Sequence, residues 1–231
     1  MLSVRVSLFV ACAAVLVSGQ ASRVFESRHA AEDIPPQTDP NSPFWRAAPA
    51  IIFNGDPFGK PVSGHRTEVR SRWTNQNLYF LFICNYEQLN LKPDPRTDIE
   101  TNRLWNWDVA EVFIGSDFQN IRKYKEFEVS PKGEWVDLDI NLNNPHHEDG
   151  WNWNSGFAVA ARIDDRSKIW YACMRIPYSA VDAKAAGPGN TLRVNFYRAQ
   201  GPSSSPKAIA WQPTHKQTYH VPEAFGTLKL E

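Results

Sequence analysis

The sequence has few residues of the kinds that favour helical bundles, redox chemistry or polyanion binding. It contains only two methionines and three cysteines, and 25 Lys and Arg balance 25 Asp and Glu. Because the net charge is zero, there is no electrostatic attraction for a nucleic-acid backbone or an anionic lipid surface, and we expect no nucleic-acid partner. No pair of cysteines forms a CxxC motif, so the sequence offers no support for a structural zinc site or a redox site.

Proline, glycine and tryptophan are plentiful instead, at 17, 12 and nine residues. Helical bundles contain few such helix breakers, so this composition favours an all-β fold. Short apolar or alternating runs bounded by Gly, Pro, Asn and Asp predict about ten strands. They are Glu68–Trp73, Leu78–Asn85, Asp108–Gly115, Lys123–Val129, Glu134–Ile140, Phe157–Ile163, Ile169–Ile176, Thr191–Ala199, Ala208–Trp211 and Gly226–Leu230. We therefore predict a single-domain antiparallel β-sandwich of roughly ten strands over residues 44–231.

The amino terminus has the pattern of a secretory signal peptide over residues 1–21. Arg5 precedes a short apolar run from Val6 to Val17, and small residues follow it. The run is shorter than the ~20 residues of a membrane-spanning helix, and no later segment is long enough, so we expect no membrane span. Residues 22–43 are polar and rich in proline, which predicts an extended lead-in. The mature chain is expected to be secreted or periplasmic.

Cys84 and Cys173 both fall in apolar strand-like runs. Export permits a disulfide between them, but the sequence does not show whether their Cα atoms come within bonding range. A disulfide and two buried free thiols both remain open.

Alternation along two adjacent predicted strands suggests which side chains face the solvent. Glu126 and Glu128 alternate with Phe127, while Asp137 and Asp139 alternate with apolar residues of the next strand. We expect the acids of both strands to share one outward face. Glu111 lies in an otherwise apolar strand, so its carboxylate needs a partner or a cleft.

The segment Trp105-Asn106-Trp107-Asp108-Val109-Ala110-Glu111 combines two indoles with two carboxylates. An indole packs on the C–H face of a sugar ring, and carboxylates accept hydrogen bonds from its hydroxyls. Tryptophans that only pack the core of a sandwich would give the same pattern.

Several ordered motifs make residues 45–230 resemble the family 9 carbohydrate-binding modules, β-sandwiches of the DOMON-like group. They are Thr67–Trp73, Leu78-Tyr79-Phe80, Trp105–Phe113, Tyr124–Val129 with Gly133, Trp170–Pro177, Val194-Asn195-Phe196, Ala210-Trp211 and His220–Leu228. The resemblance implies a non-catalytic, monomeric module that binds an oligo- or polysaccharide and serves polysaccharide breakdown.

The resemblance also implies a site in which two aromatic side chains clamp a sugar ring. Trp105 and Tyr219 match the two aromatic positions, although sugar-binding members have Trp at the second. Glu111 matches the acid that binds hydroxyls, and we expect Asp108 and His220 to assist. Glu128 stands where family members have a basic residue, so a scaffold that has lost the sugar site is one alternative.

Other reactive groups give weaker signals. The adjacent His146 and His147 lack zinc spacing and are expected in a solvated loop. The resemblance admits structural calcium, for which the Asn- and Asp-rich residues 141–149 are candidates, but we expect no catalytic cofactor or other metal. It also admits a haem-binding redox module as an alternative, in which Met174 would be an axial ligand. The core-like strand around Met174 favours a packing role for it instead. Same-face pairs of carboxylates are common in strands and do not indicate a glycosidase.

Overall fold

The computed structural model describes residues 23–231, so the predicted signal peptide lies outside the described residues. The strands are β1 (Val24–His29), β2 (Ala50–Phe53), β3 (Thr67–Trp73), β4 (Asn77–Asn85), β5 (Val109–Gly115), β6 (Lys123–Val129), β7 (Trp135–Asn141), β8 (Ala158–Asp164), β9 (Ile169–Pro177), β10 (Thr191–Gln200), β11 (Lys207–Ala210) and β12 (Gly226–Leu230). One short helix, α1, spans Pro43–Arg46. Short 3-10 turns span Leu104–Asn106, His147–Asn152, Tyr178–Ala180 and Pro222–Ala224.

The strands form two layers that are joined by β1. The first layer has the order β7-β6-β5-β10-β12, with β11 paired to β10, and the second has the order β3-β4-β9-β8, with β2 paired to β3. The first part of β1 pairs with β12 and its last two residues pair with β3, in both cases in parallel. The all-β sandwich is confirmed, with parallel pairing confined to β1 among the described strands.

The strand β1 lies in the segment that was expected to be only an extended lead-in. Its Phe25 is buried and makes edge-to-face contacts with Phe196 and Trp211 in the apolar layer between the sheets. Aromatic pairs of this geometry add to the free energy gained by burying their apolar area. Residues 23–231 contain no helix that is long and apolar enough to cross a membrane.

A second apolar layer covers the outer face of the first sheet. Its members include Val109, Phe113, Tyr124, Leu138 and Tyr197. Every residue of β5 is therefore buried, as expected for a central strand that is packed on both faces. The candidate site lies on this outer apolar layer.

The expected common outward face of the acids of β6 and β7 is wrong. In the observed register Glu126 lies opposite Leu138 and Glu128 lies opposite Val136, while Asp137 lies opposite Phe127. The acids of β6 thus share the outer face with the apolar residues of β7. Alternation fixes the faces within each strand, but the relative phase of two strands depends on the connecting turn, and one residue reverses it.

Both cysteines are free and buried. Cys84 packs in the layer between the sheets, whereas Cys173 packs on the opposite face of the second sheet with Tyr79 and Leu81. Because the two thiols lie on opposite faces, they do not form a disulfide. Burial raises the pKa of Cys84 to about 11 and that of Cys173 to about 12, so both remain protonated thiols at neutral pH.

Candidate functional site

A cavity of about 500 Å³ opens on the outer face of the first sheet. Strands β5, β6 and β7 form its floor, and loops from three distant parts of the chain form its walls. The lining residues are Arg103, Trp105, Asn106, Glu111, Phe113, Glu126, Leu138, Ile140, His147, Glu148, Ala199, Tyr219 and His220. Aromatic rings, acids and histidines are thus gathered around one opening.

Four of the five residues predicted from sequence line this cavity. They are Trp105, Glu111, Tyr219 and His220. Trp105 and Glu111 come from the loop before β5 and from β5 itself. Tyr219 and His220 come from the segment before β12, about half the chain further on. Asp108 does not line the cavity.

The loop before β5 holds Trp105 at the mouth of the cavity. Leu104, which precedes it, is fully buried in the outer apolar layer and anchors the 3-10 turn. The Trp107 amide donates to the Leu104 carbonyl at 3.0 Å and closes that turn. Trp105 is left half-buried, with part of its surface available for contact.

Three contacts with β10 hold Tyr219. Its ring lies parallel to the ring of Tyr197, with the centroids 4.2 Å apart and an interplanar angle of 10°. The Tyr219 hydroxyl donates to the Arg198 carbonyl at 2.7 Å, and the Tyr197 hydroxyl donates to the Tyr219 carbonyl at 3.1 Å. Burial raises the pKa of Tyr219 well above its usual value, so the phenol stays neutral. The ring is held in one orientation before any ligand arrives.

His220 forms the wall next to Tyr219. Its Nδ1 lies 2.7 Å from the Tyr124 hydroxyl oxygen, and its ring lies 5.2 Å from the ring of Phe113. Burial lowers the pKa of His220 to about 4, with a smaller contribution from His147. The imidazole is therefore neutral at neutral pH and presents a hydrogen-bonding edge without a charge.

His147 reaches the cavity from the loop that was expected to be solvated. Its ring meets that of His220 edge to face at a centroid distance of 4.5 Å. The neighbouring His146 agrees with the expectation, since 72% of its side chain is exposed. His146 and His147 are neighbours in the sequence, and nothing in the sequence indicated that His147 would face the cavity.

Three acids lie at the floor of the cavity. Glu111 pairs with Glu128 across β5 and β6, and Glu126 points to the same face. All three are buried. Burial raises the pKa of Glu126 to about 7, and burial together with neighbouring glutamates raises the pKa of Glu111 and of Glu128 well above the usual value. Glu126 was missed as a site residue because its contribution depends on strand register.

Asp108 has a different role from the hydroxyl contact that was expected. Its carboxylate accepts hydrogen bonds from the Asn90 amide at 2.8 Å, from the Gly201 amide and from the Gln200 side chain. Only 1% of the residue is exposed. Burial raises its pKa to about 6, although these hydrogen bonds and the charge of Arg198 act in the opposite direction. Asp108 therefore ties the loop that carries Trp105 to the end of β10.

The candidate haem ligand lies away from the cavity. Met174 is fully buried between the sheets and does not line the cavity. Within residues 23–231, one group of three metal-ligating side chains converges, and it is the glutamate cluster of Glu111, Glu126 and Glu128. The calcium candidates of residues 141–149 form no such group.

A β-sandwich with a cavity of this size, walled by aromatic rings and a few polar groups, is a ligand-binding module. The chain belongs to the carbohydrate family 9 binding domain-like family, whose model matches residues 43–231. Modules of this family are non-catalytic, so the protein is a binding module and not an enzyme. The resemblance inferred from the motifs is confirmed.

Solved structures at low sequence identity share the fold, and a curated protein is similar in sequence. A family 9 carbohydrate-binding module from Caldicellulosiruptor kristjanssonii, solved with cellotriose, aligns with a TM-score of 0.66 at 13% identity, covering 90% of this chain and 93% of the other. Its complex with glucose aligns with a TM-score of 0.61, at 13% identity and over 90% and 95% of the two chains. A protein of Arthroderma benhamiae named "Extracellular protein" is 23% identical over 172 residues, which is 69% of this chain and 76% of the relative.

Proposed function

We propose that the protein is an exported carbohydrate-binding module that holds a terminal sugar ring between Trp105 and Tyr219. The observation that carries the proposal is the convergence of these two aromatic residues with Glu111 and His220 around one cavity in a family 9 domain. The bound cellotriose and glucose of the Caldicellulosiruptor module point to neutral glucose-based oligosaccharides as the ligand class. The name of the Arthroderma relative supports export. A role in polysaccharide breakdown outside the cell is the further part of this proposal.

The chemistry of the cavity suits a neutral sugar. The flat faces of Trp105 and Tyr219 contact the C–H faces of a pyranose, and the neutral imidazole of His220 and the acid of Glu111 meet its hydroxyls. Tyr219 is already immobilised by Tyr197 and Arg198, which lowers the entropy lost on binding. Because each hydroxyl must give up water first, we expect roughly 4 to 7 kcal/mol of binding free energy, between millimolar and micromolar affinity.

Titration calorimetry with cellotriose tests this assignment, together with retention in gels that contain soluble β-glucan. Trp105→Ala and Tyr219→Ala are each expected to weaken binding by at least about tenfold, the loss of one aromatic contact. The matched control is Trp107→Ala, since this indole lies two residues along the same loop and does not line the cavity. Retention that is equal in all three variants would contradict the clamp. Failure of the unmodified protein to bind any glycan on an array would favour the scaffold alternative.

A further inference from the structure

Three glutamates form a compact cluster at the floor of the cavity. Glu111 on β5 lies directly opposite Glu128 on β6, and Glu126 lies two residues along on the same face. One carboxylate oxygen from each lies within 4.8 Å of the others. The residues are 2%, 0% and 4% exposed, respectively. Three carboxyl groups are therefore held together where little water reaches them.

The cluster has no compensating group among the described residues. Both carboxylate oxygens of Glu128 and one of Glu126 lack a hydrogen-bond donor. None of the ion pairs formed within residues 23–231 includes a member of the cluster. Buried carboxylates in folded proteins are normally hydrogen-bonded, paired with a cation or bound to a metal. Glu128 is thus a fully buried acid whose polar neighbours are the carboxyl groups of Glu111 and Glu126, with no donor or cation from outside the cluster.

We propose that Glu111, Glu126 and Glu128 form a binding site for a hard divalent cation, with calcium as the ion that it takes. Calcium binds oxygen ligands at 2.3–2.6 Å, so oxygens on opposite sides of one ion lie up to about 5 Å apart. Magnesium demands a near-ideal octahedral shell and gives up its water reluctantly, so three carboxylates that lie within 4.8 Å of one another in a buried cluster suit calcium better. The cluster contains no thiolate and no imidazole, the ligands that zinc and copper prefer.

The cavity supplies the remaining coordination positions. Glu111 and Glu126 line the cavity and Glu128 does not, so an ion held by all three faces the opening on one side. Water enters there and completes a shell of six to eight oxygens. The cluster contains no residue of the loop 141–149, and the inference does not depend on whether the cavity binds a sugar.

Terbium luminescence provides a direct test, because Tb³⁺ occupies calcium sites and is excited through nearby aromatic rings such as Trp105. The intact protein is stripped with EDTA, titrated with Tb³⁺ and then with competing Ca²⁺ or Mg²⁺. We expect emission that saturates at one ion per chain and is displaced by Ca²⁺ at lower concentrations than by Mg²⁺. Glu128→Gln retains the shape of the side chain and removes its charge, and it is expected to weaken Tb³⁺ and Ca²⁺ binding by at least tenfold.

Asp149→Asn serves as the matched control, since it removes a carboxylate from the neighbouring loop and is expected to leave the titration unchanged. Glu126→Gln gives a second measurement at the cluster if circular dichroism shows that Glu128→Gln is misfolded. Emission that does not saturate, or that is equal in Glu128→Gln and the unmodified protein, would overturn the site. Loss of emission in Asp149→Asn alone would place the ion in the loop and also overturn it. Since no readout contains a sugar, failure of glycan binding cannot be mistaken for failure of this site.

Discussion

Asp108 shows how a single buried carboxylate organises the neighbourhood of a binding site without lining it. Three donors from two separate segments converge on its oxygens. They hold the loop that presents Trp105 against the end of β10. Burial nevertheless disfavours the charged form, so the pKa rises to about 6.

The raised pKa of Asp108 predicts a defined pH dependence of stability. Below about pH 4 the Asp108 carboxyl is protonated in both the folded and the unfolded chain, so it does not make the free energy of unfolding depend on pH. Between about pH 4 and 6 the unfolded chain releases this proton and the folded chain retains it, so the free energy of unfolding falls as pH rises. The shift corresponds to about 3 kcal/mol in total. The measurement is urea unfolding of the unmodified protein and of Asp108→Asn. The difference between their free energies of unfolding is expected to change by up to about 3 kcal/mol between about pH 4 and 6.

Comparison of the two proteins isolates this carboxyl from the other groups that titrate in the same range. His220 acts in the opposite direction, because its pKa of about 4 in the folded state means that acidification favours the unfolded chain. It is present in both proteins and cancels in the difference. A difference that stays constant from pH 4 to 7 would show that the folded and unfolded carboxyls have the same pKa.

At the scale of secondary structure, alternation and turn residues identified most of the fold. All ten predicted strands are present, because their apolar positions repeat with period two and Gly, Pro and Asn separate them. The turn before β7 places Gly133 at a φ of 87°, a conformation that glycine adopts without strain. The missed strands, β1 and β2, are short, and β1 contains Glu26, Arg28 and His29, which hide its alternation.

The residues of the candidate site could be predicted where each one lies in a short motif that resembles the family. Trp105, Glu111, Tyr219 and His220 were found in this way. Glu126 and His147 were not, because their positions depend on the phase between two strands and on the fold of a loop. Long-range packing of this kind leaves no periodic trace in the sequence.

The strand β1 joins the two sheets, and Phe25 is its one large side chain in the core. We therefore expect that truncating Phe25 lowers the free energy of unfolding strongly. Phe25→Ala removes the edge contacts with Phe196 and Trp211 and leaves a cavity between the sheets. We expect a loss of about 3–5 kcal/mol in the free energy of unfolding, measured by urea denaturation. Val24→Ala is the control, since Val24 precedes Phe25 in the same strand and is 48% exposed. Its effect is expected to stay within about 0.5 kcal/mol. Equal effects of the two changes would show that β1 does not anchor the core.

At the scale of the whole molecule, the fold separates stability from binding. The layer between the sheets contains most of the buried aromatic and aliphatic side chains, while the cavity lies on the far side of the first sheet. Substitutions at the partly exposed rim of the cavity therefore remove ligand contacts without opening the main core. This arrangement allows the binding variants to be compared as folded proteins.

The charge balance of the whole chain predicts how binding responds to salt. With 25 basic and 25 acidic residues the protein has no net charge, and a neutral glucan has no counterions to release. Retention in β-glucan gels is therefore expected to change by less than about twofold between roughly 20 mM and 500 mM NaCl, where the Debye length falls from tens of ångströms to a few. Heparin, a polyanion, provides the comparison, and we expect no retention on it at about 150 mM NaCl. A tenfold loss of glucan retention at high salt would mean that charged groups, and not aromatic contacts with a neutral ring, dominate recognition.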